Sequence, residues 1–161
     1  MQDEKGQPVQ TTVTIQRSNL RQDLRDLLVL EKLVFEKDAF PAHEFLYLYH
    51  VGSDTFLVAR TENDLIGYIS AYIEDDAGYI ASIAVHPDHR GNGIGRTLLR
   101  VAMRLLEGNG DIVSIQLHVR QSNKPAITLY EKLGYRTTGI DTGYYNDGEA
   151  ALIMTYTIQS K

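Results

Sequence analysis

YIASIAVHPDHRGNGIGRTLLRVAMRLL, running from Tyr79 to Leu106, decides how this chain is read. Tyr79 to Val85 is a short apolar run that ends at His86-Pro87. Proline cannot donate to a strand ladder, so a strand is expected to stop there. From Ile94 onward, Ile94, Leu98, Val101, Ala102, Leu105 and Leu106 fall at the spacing of one helix face. Arg96, Arg100 and Arg104 repeat on another face, where the plain reading is a solvated surface. Between strand and helix lies Arg90-Gly91-Asn92-Gly93-Ile94-Gly95. Glycines there let backbone N–H groups converge on one concavity, with the positive end of the helix dipole behind them. That is a seat for a phosphate, and the alternative is a tight turn that merely needs glycine.

The P-loop pattern is absent, because no Lys-Ser or Lys-Thr pair follows the glycines. The dinucleotide pattern G-x-G-x-x-G also fails, since Arg96 and Leu98 stand where its last glycine would be. What remains is R-x-x-G-x-G, with Arg90, Gly93 and Gly95 in the fixed places. This resembles the coenzyme A pyrophosphate loop of the GCN5-related N-acetyltransferase (GNAT) superfamily. The preceding strand, the His-Pro-Asp-His turn and the following helix agree with that resemblance.

Length and composition bound the rest. A chain of 161 residues is one domain with room for a real core. Its composition is ordinary globular, 43% hydrophobic and 23% charged. A net charge of −5 and a pI near 5.5 argue against nucleic acid as main partner, so an anionic ligand needs a local basic patch. There is no cysteine, which excludes disulfides, zinc-thiolate sites and a cysteinyl acyl intermediate. No apolar run reaches the ~18–20 residues of a membrane span, and MQDEKGQPVQ lacks the basic-then-apolar order of a signal peptide. A cytoplasmic location is expected.

In chain order, residues 1–10 read as a flexible tail and 11–161 as a single domain. Thr11 to Gln16 is a candidate first strand, and Ser18 or Asn19 caps a helix through Leu20, Leu24, Leu27, Leu28 and Val34. Phe40-Pro41 breaks it, and a second helix covers His43 to His50. Strands follow at Thr55 to Arg60, Leu65 to Ile73 and Tyr79 to Val85, joined by short turns as an antiparallel meander. After the glycine loop and its helix, Gly108-Asn109-Gly110 serves as C-cap and turn. Ile112 to Val119 is then a strand parallel to its predecessor through a helical crossover. Pro125 opens another helix that Gly134 ends, and Tyr135 to Ile140 and Ala150 to Ile158 are the last strands. The order β-α-α-β-β-β-α-β-α-β-β predicts an α/β (α+β) fold with a mixed central sheet, and the resemblance implies the GNAT acyltransferase fold, with helices on both faces.

The second half extends the resemblance. LHVRQSNKPAITLYEKLGYR is similar to the signature of the protein N-terminal acetyltransferases within GNAT. YYNDGEAALIM, from Tyr144 to Met154, resembles the C-terminal loop and strand of the N-terminal acetyltransferase A catalytic subunit, of its archaeal relatives and of bacterial RimI. The implied reaction is direct transfer of acetyl from acetyl-CoA to a protein α-amine in a ternary complex, leaving coenzyme A. A lysine or small-amine acetyltransferase and a silent coenzyme-binding domain are the alternatives. Protein N-termini are the implied partners, and the resemblance also raises an auxiliary subunit or ribosome association.

Such chemistry removes a proton from an amine of pKa ~7.7–8.0 and gives one to the leaving thiolate. On the Ile112 strand, Val113, Ile115, Leu117 and Val119 share one face, and Ser114, Gln116, His118 and Arg120 the other. His118 lies near the strand end where parallel-sheet sites open, and an imidazole of pKa near ~6.5 suits the task of base. A hydrogen-bonded surface histidine is its ordinary reading. By resemblance His118 is the general base and Tyr130 the acid at the coenzyme sulfur; the plain role of Tyr130 is packing. The resemblance further implies coenzyme contacts from Arg90 through Arg96 (Gly91, Asn92, Gly93, Ile94 and Gly95 between) and from Asn123. The backbone of Ile83, Ala84 and Val85 would pair with the pantetheine arm and polarise the thioester. Phe40 and Pro41, where related enzymes carry Leu-Pro-Glu, are expected with Tyr144 and Tyr145 to form an apolar pocket for small first residues or Met. Glu149 is expected to orient the second residue. His86 and His89 have H-x-x-H spacing, but two ligands make no metal site, and none is expected.

Overall fold

The computed structural model describes residues 11–109 and 111–159, so the expected tail over residues 1–10 lies outside the described residues. In order, the elements are β1 (Thr14–Arg17), α1 (Leu20–Phe35), α2 (Ala42–Gly52), β2 (Leu57–Arg60), β3 (Leu65–Glu74), β4 (Ala77–Val85), α3 (Ile94–Glu107), β5 (Ser114–Arg120), α4 (Lys124–Lys132), β6 (Arg136–Asp141) and β7 (Ala151–Thr157). Short 3-10 turns occupy Glu36–Asp38, Ser53–Thr55 and Pro87–His89. One seven-stranded sheet has the order β1-β2-β3-β4-β5-β7-β6. β4 and β5 are parallel, and the other neighbouring pairs are antiparallel. The sequence order of helices and strands is the one observed.

Two cores follow from strand alternation. α3 and α4 lie on one face, where Leu98, Leu99, Ala102 and Leu106 meet Ile115, Leu117, Val119 and Met154. α1 and α2 cover the other, where Leu27, Leu30, Phe45 and Leu48 meet Phe56, Val58, Tyr68 and Ala84. Burying one such Leu or Phe contributes about 1.5–3 kcal/mol, so these layers fix the sheet that carries the site.

Several boundaries differ from expectation for local reasons. Asn19 is the N-cap of α1 without a side-chain cap bond. Instead the buried Asp23 carboxylate accepts from the Asn19 N–H and the Ser18 hydroxyl, both at 2.8 Å. β2 starts at Leu57 because the hydroxyl of Thr55 donates to Gly52 and Ala71 carbonyls, holding Ser53–Thr55 in a 3-10 turn. The β3–β4 turn is only Asp75-Asp76, with Asp75 at φ +54°, because Glu74 already pairs with Ala77. Gly108 ends α3 with φ −66°, right-handed rather than left-handed, so its caps are plain backbone bonds to Arg104 and Leu106 carbonyls. β5 begins at Ser114, and Val113, expected on the buried face, is 55% exposed just before it.

Candidate active site

The parallel ladder between β4 and β5 is short. It runs from Ala77↔Ser114 to Ile80↔Leu117, yet β4 continues to Val85 and β5 to Arg120. Beyond Ile80, β4 stays with β3, pairing Ser82 with Ser70 and Val85 with Gly67. β5 stays with β7, pairing His118 with Ile153 and Arg120 with Ala151. The β3–β4 register shifts at Ser70/Ala71, leaving Ala81 as the extra residue, and a bulge bends its strand. β4 and β5 therefore separate into a wedge that opens through the sheet. Ile83, Ala84 and Val85 form its β4 side, with the Ala84 side chain buried under α1 and α2.

The glycine loop follows β4 and the Pro87–His89 turn at this end of the sheet. Gly91 and Gly93 have φ of +80° and +78°, and Gly93 is the N-cap of α3. A Cβ at either position would meet nothing within 4 Å, so both glycines serve the left-handed backbone and face open space. That hollow at the end of a 14-residue helix suits an anion, and the residues present fit a pyrophosphate. Ile94 turns its side chain into the core, leaving its backbone N–H to the seat. The Arg90 Nε donates to the Val85 carbonyl at 3.1 Å, which ties the loop to the wedge. Asn92 donates to the His89 carbonyl at 3.4 Å, and Arg96 is exposed on α3. His86 Nδ1 accepts from the Asp88 N–H at 3.2 Å and so caps the turn before the loop.

His118 and Tyr130 lie on opposite faces of the sheet. His118 alternates with the buried Leu117 and Val119, which share a core with Tyr130 and α3. Its ring stacks on Tyr144 at 4.6 Å between centroids, and its Nε2 lies 3.8 Å from the Asp141 carboxylate. Tyr130 is 6% exposed; burial, then the neighbouring Tyr145, pushes its hydroxyl above the ordinary phenol range. Asn123 caps α4 by accepting from the Ala126 N–H at 3.3 Å, leaving its NH2 free to donate elsewhere.

A charge cluster gathers at the end of β5. Arg120 donates to Asp147 at 3.1 Å, to Glu149 at 2.7 Å and to Asp38, and its guanidinium lies 4.0 Å over the Tyr145 ring. Lys37 adds a pair to Asp147 at 3.2 Å. The segment between α1 and α2, which carries Phe40 and Pro41, is thereby tied to the β6–β7 loop, which carries Tyr144 and Tyr145. Glu149 also accepts from the Ser122 N–H at 2.8 Å, so its carboxylate fixes the loop to the start of α4. Hydrogen bonds from Ser122 and then Arg120 hold it below the usual carboxylate range. The Glu149 N–H and Arg120 likewise lower Asp147 to about 2. Tyr145 is pushed up to about 12, chiefly by burial.

The Acetyltransferase (GNAT) family model matches residues 21–135. The chain belongs to the GNAT acetyltransferase family. It is 33% identical over 144 residues to an N-alpha-acetyltransferase of Saccharolobus solfataricus, covering 82% of this chain and 86% of that protein. It is 36% identical over 123 residues to the catalytic subunit of the N-terminal acetyltransferase A complex of Arabidopsis thaliana, covering 71% and 64%. The crystal structure of the ribosomal-protein-S18-alanine N-acetyltransferase from Escherichia coli superposes with a TM-score of 0.80 at 27% identity, covering 93% of this chain and 96% of that one.

Within this acetyltransferase, sequence reasoning missed the residues that hold the site rather than line it. Lys37 and Asp38 sit in the 3-10 turn after α1 and Asp147 in the β6–β7 loop, and their spacing says nothing of their meeting. Arg120 was legible only as a polar-face residue of β5. Glu31 carried a usable signal: it falls four residues after Leu27 on the apolar stripe of α1, and it is 1% exposed. A carboxylate at a core position demands partners.

Proposed function

We propose that this chain transfers the acetyl group of acetyl-CoA to the N-terminal α-amine of proteins. The observation that carries it is the β4–β5 wedge, with the glycine loop and Tyr130 on one side and His118 within an aromatic mouth on the other. Arg90 to Arg96 and Asn123 would hold the coenzyme, and acetyl-CoA supplies a thioester carbonyl. The backbone of Ile83 to Val85 orients that carbonyl in the wedge and offers N–H donors to its oxygen. From the opposite face His118 takes a proton from the amine, directly or through water. Tyr130 keeps its own proton for the departing sulfur. The similarity to relatives named for N-alpha and S18-alanine acetylation supports an α-amine over a lysine side chain.

The first side chain of the substrate enters between Phe40 with Pro41 and Tyr144 with Tyr145. A phenyl wall favours an uncharged side chain, since apolar burial is worth ~25 cal/mol per Å². Ser, Ala and Met are the expected first residues. An auxiliary subunit or the ribosome would bind outside this mouth. The test is acetyl transfer to peptides differing in the first two residues, with free and blocked N-termini, by wild type and Tyr145→Ala. Blocking the α-amine should abolish transfer, and Tyr145→Ala should flatten the first-residue ranking. Equal transfer to an internal lysine would overturn the reading.

A further inference from the structure

Glu31 has no place in the chemistry above, yet its carboxylate is 1% exposed in the last turns of α1. One oxygen accepts from the Phe40 backbone N–H at 2.9 Å, and the other accepts from the Tyr68 hydroxyl. The same hydroxyl lies 2.7 Å from the Ser82 Oγ, beside the Ala81 bulge where β4 leaves β5. Phe40 meets Phe45 edge-on at 6.4 Å, and Phe45 meets Tyr68 edge-on at 5.6 Å. The contacts close a ring: Glu31, Phe40, Phe45, Tyr68 and back to Glu31. Burial raises the Glu31 carboxyl above the usual carboxylate range, although the Phe40 and Tyr68 bonds oppose it. A leucine would fill this position of the stripe without that desolvation penalty.

We propose that Glu31 is a positioning residue that sets first-residue selectivity by holding the Phe40 wall in register with the β4 side of the wedge. This rests on the reading that Phe40 lines the first-residue pocket. Through Tyr68 and Ser82 the tie joins the wall that receives the substrate to the strand that receives the thioester. A displacement near 1 Å between such elements can cost about a hundredfold in rate. Glutamine can keep the tie. Its oxygen accepts from Phe40, and its NH2 donates to the Tyr68 hydroxyl, which then donates to Ser82. Alanine breaks the tie at both ends.

The experiment compares Glu31→Ala and Glu31→Gln with wild type on the peptide panel. A second readout is hydrogen exchange of the Phe40 amide. Glu31→Ala is expected to lower kcat/KM for the preferred peptide about 10- to 100-fold and to flatten the first-residue ranking. The KM for acetyl-CoA should not change, and Phe40 should lose its protection. Glu31→Gln is expected to restore ranking, rate and protection together. Glu31→Leu, which keeps the core filled, stands in should the alanine variant not fold, and it should behave like alanine. A wild-type ranking in folded Glu31→Ala or Glu31→Leu, or Glu31→Gln as impaired as alanine, overturns the proposal. Should wild type acetylate no N-terminal peptide, the proposed function falls, and the exchange data still decide whether Glu31 holds Phe40.

Discussion

Tyr130→Phe deletes one hydroxyl and leaves the ring that packs against Tyr135 at 5.9 Å. Because burial raises its pKa, Tyr130 is a weaker acid than a free phenol of pKa ~10, and a simple thiol sits near ~8.5. Complete proton transfer ahead of bond cleavage is therefore uphill. On the proposed acid role, the useful interaction is a hydrogen bond from the hydroxyl to negative charge developing on sulfur, with the proton following as the C–S bond breaks. A hydrogen bond to a charged group contributes about 1.5–3 kcal/mol. At ~1.36 kcal/mol per tenfold, the loss in kcat should be roughly 10- to 150-fold. Since the bond forms mainly in the transition state, the KM values for peptide and acetyl-CoA should stay close to wild type. A phenol donates only while protonated, so the raised pKa keeps the donor intact, and Tyr130 should cause no alkaline loss of rate below about pH 10. Steady-state thiol release from pH 6 to 9.5 measures all of this. The Tm should move by no more than about 4 °C, the equivalent of ~1 kcal/mol in a domain of this size. A kcat within twofold of wild type across that range would refute the acid role.

Gly93→Asp should fold, since its Cβ meets open space, but it places a carboxylate in the phosphate seat and strains the left-handed backbone at φ +78°. Coenzyme A affinity by calorimetry should fall at least about tenfold; unchanged affinity in a folded variant would remove the loop assignment. An imidazole base acts only while neutral, so His118→Ala should cost most rate near pH 9 and make the fall towards pH 6 shallower than in wild type, and a profile parallel to wild type would defeat its role as base. Arg120→Ala should raise the peptide KM about tenfold or more and leave the acetyl-CoA KM alone, because it frees both walls of the mouth. The clamp itself should survive mild acid. Asp147 and Glu149 have lowered pKa values, so their stabilisation is present above the ordinary carboxylate range and is lost only as pH falls towards about 2 for Asp147. Rate loss between pH 7 and 6 that disappeared in Arg120→Ala would contradict this.

The parts of the site written as local pattern were legible. The strand before Pro87, the glycines before α3 and the alternation of β5 each follow from backbone and periodicity within ten or so residues. They place the loop and the polar face of His118, whereas Ile83 to Val85 rest on the family resemblance alone. What the sequence could not give is long-range pairing. The Arg120–Asp38 contact joins residues 82 apart and the Lys37–Asp147 contact residues 110 apart, and neither has a periodic signature. The β-turn at Asp75-Asp76 was read too long because a non-glycine residue takes the positive φ there. The length of the parallel ladder was equally invisible, since the bulge at Ala81 leaves an unbroken apolar run in the sequence.

That bulge explains why one sheet can serve two reactants. In an unbroken parallel pair, the β4 and β5 backbones would consume each other's N–H and C=O groups. Strand alternation would then put His118 and the Tyr130 core on surfaces separated by a closed sheet. Ending the pairing at Ile80 and Leu117 removes that barrier just before His118. The parted strands are held in place by their outer partners: β3 pairs with β4 as far as Val85, and β7 pairs with β5 as far as Arg120. The same residue, Arg120, ends β5 and ties the segment between α1 and α2 to the β6–β7 loop, so the strand that leaves β4 also anchors the loops beside it. On the proposed function, coenzyme and amine would approach from separate faces and meet in the wedge, the geometry that direct transfer requires.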